Sequence, residues 1–340
     1  MNTELLEKVC HTPGIPGYED AIQDVVQGIL EGLCDEVSRD RMGNVIGLKR
    51  ATHPSEKVDR PLRVLLAAHS DEIGMMVKHI DDEGFIGFQP VGGLNPQAIV
   101  GQRVIIHREK QIKGVIVPRR NGLPLPTLDE MLIDIGLPKE TVCESVKLGD
   151  VITFADELDE LNDQVYVGRN FDDRIGTYCL LDAMAQVGET VVDVYAVSTV
   201  QEEVGVRGMH TAAYAIEPDI GLALDGSVTS GAHISKKEAT CEMGLGTGIY
   251  IMDRLTMGDP RLVHFLFDLC EQNGIPYQRN IGGGTDASAI QRTKAGALST
   301  TIGAPVRYMH STVQLCHKDD VEATVALLKV FLENAHKLLA

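Results

Sequence analysis

The sequence contains no tryptophan, and aromatic residues make up only 4% of its 340 positions. Its core must therefore be built mainly from Val, Ile, Leu, Ala and Met. No stretch reaches the roughly 18 uninterrupted apolar residues that a membrane-spanning helix requires, and the N-terminus lacks the apolar segment of a secretion signal. We therefore expect a cytoplasmic protein that has no membrane partner.

Cysteines and cations are also sparse. The seven cysteines are scattered, odd in number and without a Cys-x-x-Cys pair, which excludes a disulfide framework and a zinc knuckle. Lys and Arg number 31 against 49 Asp and Glu, for a net charge of −18. Nucleic-acid binding needs clustered Lys and Arg, so no nucleic-acid partner is expected. Such a net charge mainly favours solubility.

Helical and strand patterns alternate at both ends of the chain. Helical spacing of apolar residues covers 3–10, 19–33, 175–187, 261–273 and 321–339, and predicted buried strands cover 63–68, 191–200 and 220–224. This alternation predicts an α/β fold with a mostly parallel sheet flanked by helices.

The stretch 74–163 has a different pattern. It contains short β-like runs such as 103–107 and 113–117, separated by Gly, Pro and Asp, without convincing helical periodicity. This pattern predicts a small β-barrel or sandwich. We therefore predict one α/β domain, residues 1–73 plus 164–340, interrupted by an inserted β domain at 74–163.

Polar residues follow the predicted buried strands. His69 and Asp71 come after the run 63–68, Glu202 and Glu203 follow the run 191–200, and Asp225 follows 220–224. In open α/β sheets, sites gather at the carboxyl ends of the strands. We therefore expect these side chains to lie together.

Two further positions complete a set of possible metal ligands. Asp172 lies just before a predicted helix, and His310 lies between the last glycine-rich turn and the C-terminal helix. Imidazole and carboxylate groups suit Zn or Co, and also Mn or Ni. A two-metal site with a bridging Asp172 needs five ligands, and the predicted set is His69, Asp172, Glu203, Asp225 and His310. Such a pair of ions acidifies a shared water and polarises a carbonyl oxygen, so a dinuclear hydrolase is predicted.

Two acids remain for other roles. Glu202 points away from the backbone in a different direction from Glu203, so it is predicted to act as general base. Asp71 is predicted to accept the second ring N–H of His69 and orient the imidazole. Taken singly, each position has an ordinary explanation: adjacent glutamates usually lie on a solvated surface, and Asp-Asp before a helix is usually a cap. His317 is the competitor of His310.

Motifs along nearly the whole chain match one known family. They are Thr12-Pro13-Gly14, Gly17-x-Glu19, Ala68-His69-Ser70-Asp71-Glu72, Val91-Gly92-Gly93, Phe171-Asp172-Asp173-Arg174-x-Gly176, Gln201-Glu202-Glu203-Val204-Gly205, Gly283-Gly284-Thr285-Asp286-Ala287 and Arg307-Tyr308-x-His310-Ser311. The chain resembles the tetrahedral aminopeptidases, or glutamyl aminopeptidase family of cocatalytic metallopeptidases, and within it a bacterial branch.

The resemblance implies a zinc-peptidase-like α/β domain and an inserted β-barrel that forms dimers, with dimers assembling into a tetrahedral dodecamer. It implies two divalent metal ions per subunit and hydrolysis of the N-terminal peptide bond of short peptides by a metal-bridged hydroxide. The same five ligands, Glu202 as base and Asp71 beside His69 carry over. Relatives use an acid four residues before a glycine, so Asp172 is preferred to Asp173 because it stands four before Gly176.

Several alternatives stay open at this point. The same dinuclear site could hydrolyse another amide, such as an N-acyl amine or an amino sugar. A glycosidase and an inactive cage-forming scaffold are both disfavoured, because no glycosidase carboxylate pair is identifiable and no ligand is missing. The preferred N-terminal residue, the physiological metal and the choice between dimer and dodecamer do not follow from the sequence.

Overall fold

The structure is a computed structural model that describes residues 1–53, 60–119, 126–155, 158–232 and 234–339. Its helices are α1 (Thr3–His11), α2 (Asp20–Leu30), α3 (Pro96–Ile99), α4 (Lys139–Ser145), α5 (Phe171–Gln186), α6 (Arg207–Ile216), α7 (Pro260–Asn273), α8 (Ala287–Gln291) and α9 (Lys318–Asn334). Two short 3-10 helices lie at Leu128–Glu130 and Ala335–Lys337.

The strands of the α/β part come from both ends of the chain. They are β1 (Glu36–Arg39), β2 (Val45–Lys49), β3 (Arg63–His69), β10 (Asp159–Asn162), β11 (Val165–Gly168), β12 (Asp193–Thr199), β13 (Ile220–Leu224), β14 (Ser227–Val228), β15 (Thr247–Asp253), β16 (Tyr277–Gly282), β17 (Leu298–Gly303), β18 (Pro305–Arg307) and β19 (Gln314–His317). The barrel strands are β4 (Gly74–Ile80), β5 (Ile86–Val91), β6 (Arg103–His107), β7 (Ile112–Pro118), β8 (Met131–Asp134) and β9 (Val151–Phe154).

An eight-stranded sheet forms the centre of the molecule, in the order β1-β2-β12-β3-β13-β17-β15-β16. Its middle strands β12, β3, β13 and β17 run parallel to one another. β3 lies in the middle of these strands and is buried along almost its whole length, which explains its unbroken apolar sequence. The predicted mostly parallel sheet flanked by helices is confirmed.

Both faces of the sheet are covered, and β3 shows how. Val64, Leu66 and Ala68 belong to the core that includes residues of α1, α2, α5, α7 and α9. Leu65 and Ala67 belong to the opposite core, with residues of α6 and α8. Successive side chains of a strand point to opposite faces, so this one strand anchors both layers.

A closed barrel of six strands, in the order β4-β5-β8-β7-β6-β9, follows β3 directly. Alternate residues of these strands, including Met75, Val104 and Ile152, fill its own apolar core. The predicted small β-barrel is therefore present. β10 pairs with β11 in a separate five-stranded sheet, β10-β11-β19-β18-β14, and the domain limits 1–73 plus 164–340 and 74–163 stay a prediction.

Several helical features differ from the sequence-based expectations; α9, for example, ends at Asn334, five residues before the predicted end at 339. The stretch 74–163 does contain helices, α3 and α4, but they have four and seven residues and are too short to show a helical period. α6 was not predicted, although its buried residues Met209, Ala212, Ala213 and Ile216 have helical spacing; it lacks a capping side chain at its start. α5 begins at Phe171, four residues earlier than predicted. No helix in the described part of the chain is long and apolar enough to cross a membrane.

Candidate active site

The carboxyl ends of three neighbouring parallel strands form the floor of the site. His69 is the last residue of β3 and pairs with Thr199, the last residue of β12. Asp225 directly follows β13, whose Leu224 pairs with Ala68. Because the strand ends are level, the side chains that follow them converge, as the sequence predicted.

Asp172 lies at the centre of the converging side chains, and its two carboxylate oxygens face two different histidines. Oδ1 is 3.1 Å from His69 Nε2, and Oδ2 is 3.3 Å from His310 Nε2. His310 Nε2 is also 3.5 Å from Glu203 Oε2. One carboxylate thus links two groups of side chains.

Both groups have the composition of a metal site. In His69, Asp172 and Asp225, one potential ligand atom of each residue lies within 4.8 Å of the others, and the same holds for Asp172, Glu203 and His310. The Oε1 atom of Glu203 is buried and has no hydrogen-bond partner among the described residues. A buried carboxylate oxygen without a donor is costly, and a cation would satisfy it.

Burial and crowding of the carboxylates perturb their titration. Burial, together with the charge of Asp172, raises the pKa of Glu203 to about 8. Burial also raises the pKa values of Glu202 and Asp225 well above their usual range, with neighbouring acids adding to the shift. The bond to Asp172 raises the pKa of His310 to about 9. Bound cations would relieve this repulsion.

Asp71 holds the backbone on which the two glutamates stand. Its Oδ1 accepts the N–H of Glu202 and its Oδ2 accepts the N–H of Glu203, both at 3.0 Å. The Nδ1 atom of His69 lies 3.1 Å from the backbone carbonyl oxygen of Asp71 and 3.7 Å from its carboxylate. The second ring nitrogen of His69 therefore meets the Asp71 main chain more closely than its side chain.

Asp173 and His317 lie outside the two groups. The carboxylate of Asp173 accepts the backbone N–H groups of Gly176 and His69, at 3.0 and 3.3 Å. His317 caps α9 by accepting the N–H of Asp319 at 3.2 Å. The side chains of Asp173 and His317 therefore accept hydrogen bonds from backbone N–H groups, whereas Asp172 and His310 face each other at the centre of the site.

Glycines at the end of the barrel let it approach the site closely. A Cβ atom on Gly93 would lie 2.6 Å from His310 Nδ1, and one on Gly92 would lie 3.4 Å from Glu203 Cβ. Gly92 also has φ +82°, which L side chains rarely adopt. The barrel therefore packs directly against the group that contains Glu203 and His310.

A cleft of about 600 Å³ opens over these residues. Asp172, Glu202, Glu203, Asp225 and His310 line its polar side. Its remaining lining is largely apolar and includes Val228, Ile234, Leu255, Tyr308 and Met309. A cleft with a few convergent polar groups on an apolar wall is typical of a small-molecule or peptide site.

Two supporting residues escaped the sequence analysis. Gln314 accepts the backbone N–H of Asp172 through Oε1 at 2.7 Å and donates to the carbonyl of Arg169 at 3.1 Å. Glu19 accepts the backbone N–H of Gln201 at 3.1 Å. In the sequence, Glu19 stands out only as part of the Gly17-x-Glu19 motif, and nothing near Gln314 indicates its contact with a residue 142 positions away.

Known proteins resemble the chain over almost its full length. The family model of the M42 glutamyl aminopeptidases matches residues 43–327. The lysyl aminopeptidase of Pyrococcus furiosus is 33% identical, over 98% of this chain and 97% of the relative. An aminopeptidase from the archaeon Desulfurococcus kamchatkensis has a similar structure, with TM-score 0.92, 34% identity, and coverage of 97% of this chain and 94% of that one. The Pyrococcus horikoshii TET1 peptidase, which can assemble into a tetrahedron or a large octahedral shell, gives TM-score 0.85 and 29% identity over 97% and 98%.

Proposed function

The chain belongs to the M42 glutamyl aminopeptidase family, and we propose that it is a metal-dependent aminopeptidase that removes the N-terminal residue of short peptides. The observation that carries this proposal is the placement of Asp172 between two groups of ligand-type side chains. Similarity to aminopeptidases over nearly the full length supports the reaction class.

We propose that two divalent ions bind per subunit. His69 and Asp225 would hold one ion, Glu203 and His310 would hold the other, and Asp172 would bridge them, because its two oxygens already face the two histidines. The partnerless Oε1 of Glu203 supports this assignment. Imidazole and carboxylate ligands without cysteine favour Zn or Co, with Mn or Ni also compatible.

When bound, such a pair of ions would acidify a shared water and polarise the carbonyl oxygen of the scissile bond. Glu202 lines the cleft beside these ligands, and we propose that its carboxylate takes a proton from the attacking water and passes it to the leaving amine. Asp71 keeps Glu202 and Glu203 in fixed directions through the two backbone N–H groups. The apolar wall of the cleft would receive the side chain of the first residue of the peptide.

We also propose that the chain forms a homo-oligomer. The TET1 peptidase, which covers nearly the same length, can assemble into a tetrahedron or a large octahedral shell. The closed barrel formed by β4 to β9 is the part of the chain that we propose forms the dimer contact. A dodecamer would have twelve times the 37.0 kDa mass of one chain. Analytical ultracentrifugation distinguishes this particle from a dimer.

The experiment that tests the reaction is metal removal and return. The purified protein is treated with a chelator, dialysed, and assayed on aminoacyl-anilides before and after addition of Zn or Co, with metal content measured in parallel. We expect activity to vanish and return with two ions per subunit. Activity that is indifferent to chelation contradicts the metal site. Equal turnover of N-acetylated aminoacyl-anilides, which lack a free amine, contradicts an aminopeptidase and favours hydrolysis of another amide.

A further inference from the structure

The turn that carries the two glutamates is held by carboxylates from two sides. The backbone N–H groups of Glu202 and Glu203 are donated to Asp71. The N–H of the preceding residue, Gln201, is donated to Glu19 Oε1 at 3.1 Å. Three consecutive N–H groups thus end on two acidic side chains, and Glu19 comes from a segment 182 positions away.

Gln201 has a backbone conformation that needs such support. Its φ is +56°, in the left-handed region that L residues other than Gly, Asn and Asp seldom adopt. Gln201 stands between Val200, which follows β12, and Glu202. A relaxation of φ at this position would turn the following peptide plane and redirect the Glu202 side chain. Strained residues persist where their surroundings over-determine them.

Glu19 is a buried carboxylate whose observed partners are backbone N–H groups. The residue is 5% exposed, and its Oε1 also accepts the N–H of Gly17 at 2.8 Å. In the described part of the chain, no Lys, Arg or His lies within ion-pair distance of its carboxylate, which accepts backbone N–H groups instead. A buried carboxylate without a cation costs stability, so a role in stability alone does not account for it.

We propose that Glu19 is a positioning residue for Glu202, which acts by holding the N–H of Gln201 and thereby the left-handed turn. This inference rests on the proposed role of Glu202 as general base. The inference requires only that the side chain at position 19 be long enough to place an acceptor oxygen at hydrogen-bond distance from the N–H of Gln201. The negative charge of Glu19 is not required.

Two variants distinguish the effect of side-chain length at position 19 from the effect of its negative charge. Glu19→Gln keeps the length and an acceptor oxygen but removes the charge, whereas Glu19→Asp keeps the charge and shortens the side chain by one methylene group. Since a displaced catalytic group can cost about 100-fold, we expect Glu19→Asp to lower kcat about 10- to 100-fold with KM nearly unchanged. Glu19→Gln should stay within about threefold of the parent, because an amide oxygen accepts the same bond.

A second background tests the mechanism through the backbone. Gln201→Gly makes the left-handed conformation free of steric cost, whereas Gln201→Ala removes the same side chain but keeps the cost. We expect Glu19→Asp to lose most of its effect on kcat in the Gln201→Gly background and to keep it in the Gln201→Ala background. If Glu19→Asp does not fold alone, the Gln201→Gly background should restore both folding and turnover.

The results that overturn the inference are distinct from failure of the proposed function. Equal losses in Glu19→Gln and Glu19→Asp, the reverse order, no loss in either, or the same loss in both backgrounds would each overturn it. Glu202→Gln is measured in parallel. If Glu202→Gln is inactive while Glu19→Asp is fully active, only the positioning role fails. If Glu202→Gln is as active as the parent, the proposed function itself fails.

Discussion

Replacement of Gly93 by alanine should weaken one of the two proposed metal sites and spare the other. The added Cβ would lie 2.6 Å from Nδ1 and 3.0 Å from Cε1 of His310, whereas ordinary contact begins at 3.4 Å. The imidazole would have to retreat by about 0.8 Å. This movement would carry Nε2 away from Asp172 and Glu203, which it now approaches at 3.3 and 3.5 Å.

The size of the effect follows from the cost of overpacking, about 1–3 kcal/mol for an added methyl group in a filled space. If this free-energy cost is incurred when the imidazole binds a metal ion, the metal affinity of the site that contains His310 falls about 5- to 150-fold, at about 1.4 kcal/mol per factor of ten. The three atoms nearest to the added methyl group all belong to His310, and none belongs to His69. The site formed with Asp225 should therefore keep its affinity.

Titration of the chelator-treated protein with Co, against a competing chromophoric chelator, measures both steps. Gly188→Ala is the matched control, because no atom lies within 4 Å of the Cβ that it adds. Two binding steps at parental affinity in Gly93→Ala would refute the assignment of His310 as a ligand. Loss of both steps together would refute the division into two groups.

Two further changes test the surroundings of the site. Burial raises the pKa of the Glu19 carboxyl group from 4.5 to about 7, so ionisation of this group opposes folding. The free energy of unfolding should therefore be highest below pH 4.5, where the group is protonated in both states, and should fall as the pH rises from 4.5 to about 7. In metal-free protein, the free energy of unfolding of Glu19→Gln should therefore exceed that of the parent by up to about 3 kcal/mol at pH 8 and equal it near pH 4. Denaturant titrations that give the same difference in unfolding free energy at both pH values would contradict this. Gln314→Ala removes the acceptor of the Asp172 N–H, so metal affinity measured by competition should fall about 10-fold, and an unchanged affinity would show that Gln314 does not hold Asp172 in place.

The sequence predicted that the candidate residues at the strand ends would lie together. His69, Glu202, Glu203 and Asp225 follow apolar runs, and parallel neighbouring strands bring their carboxyl ends to one edge. No long-range information was needed for them. The sheet and its helices were predicted from the alternation of helical and strand patterns, and the barrel from its short β-like runs.

Other features depend on contacts that a local pattern does not encode. The choice between Asp172 and Asp173 depends on non-helical backbone angles at the start of α5. Glu19 reaches Gln201 across 182 residues, and each looks like an ordinary polar residue near a helix or strand end. The approach of Gly93 to His310 joins the barrel to the α/β part, and neither segment alone indicates it.

The proton-transfer role of Glu202 is the central claim, and Glu202→Gln tests it most directly. Since general-base catalysis contributes about 10²- to 10⁴-fold, kcat on an aminoacyl-anilide should fall by that factor while the protein still binds two metal ions per subunit. Glu7→Gln, an exposed change of the same kind on α1, should keep the parental rate. Parental turnover in Glu202→Gln with both metal ions bound would contradict the account.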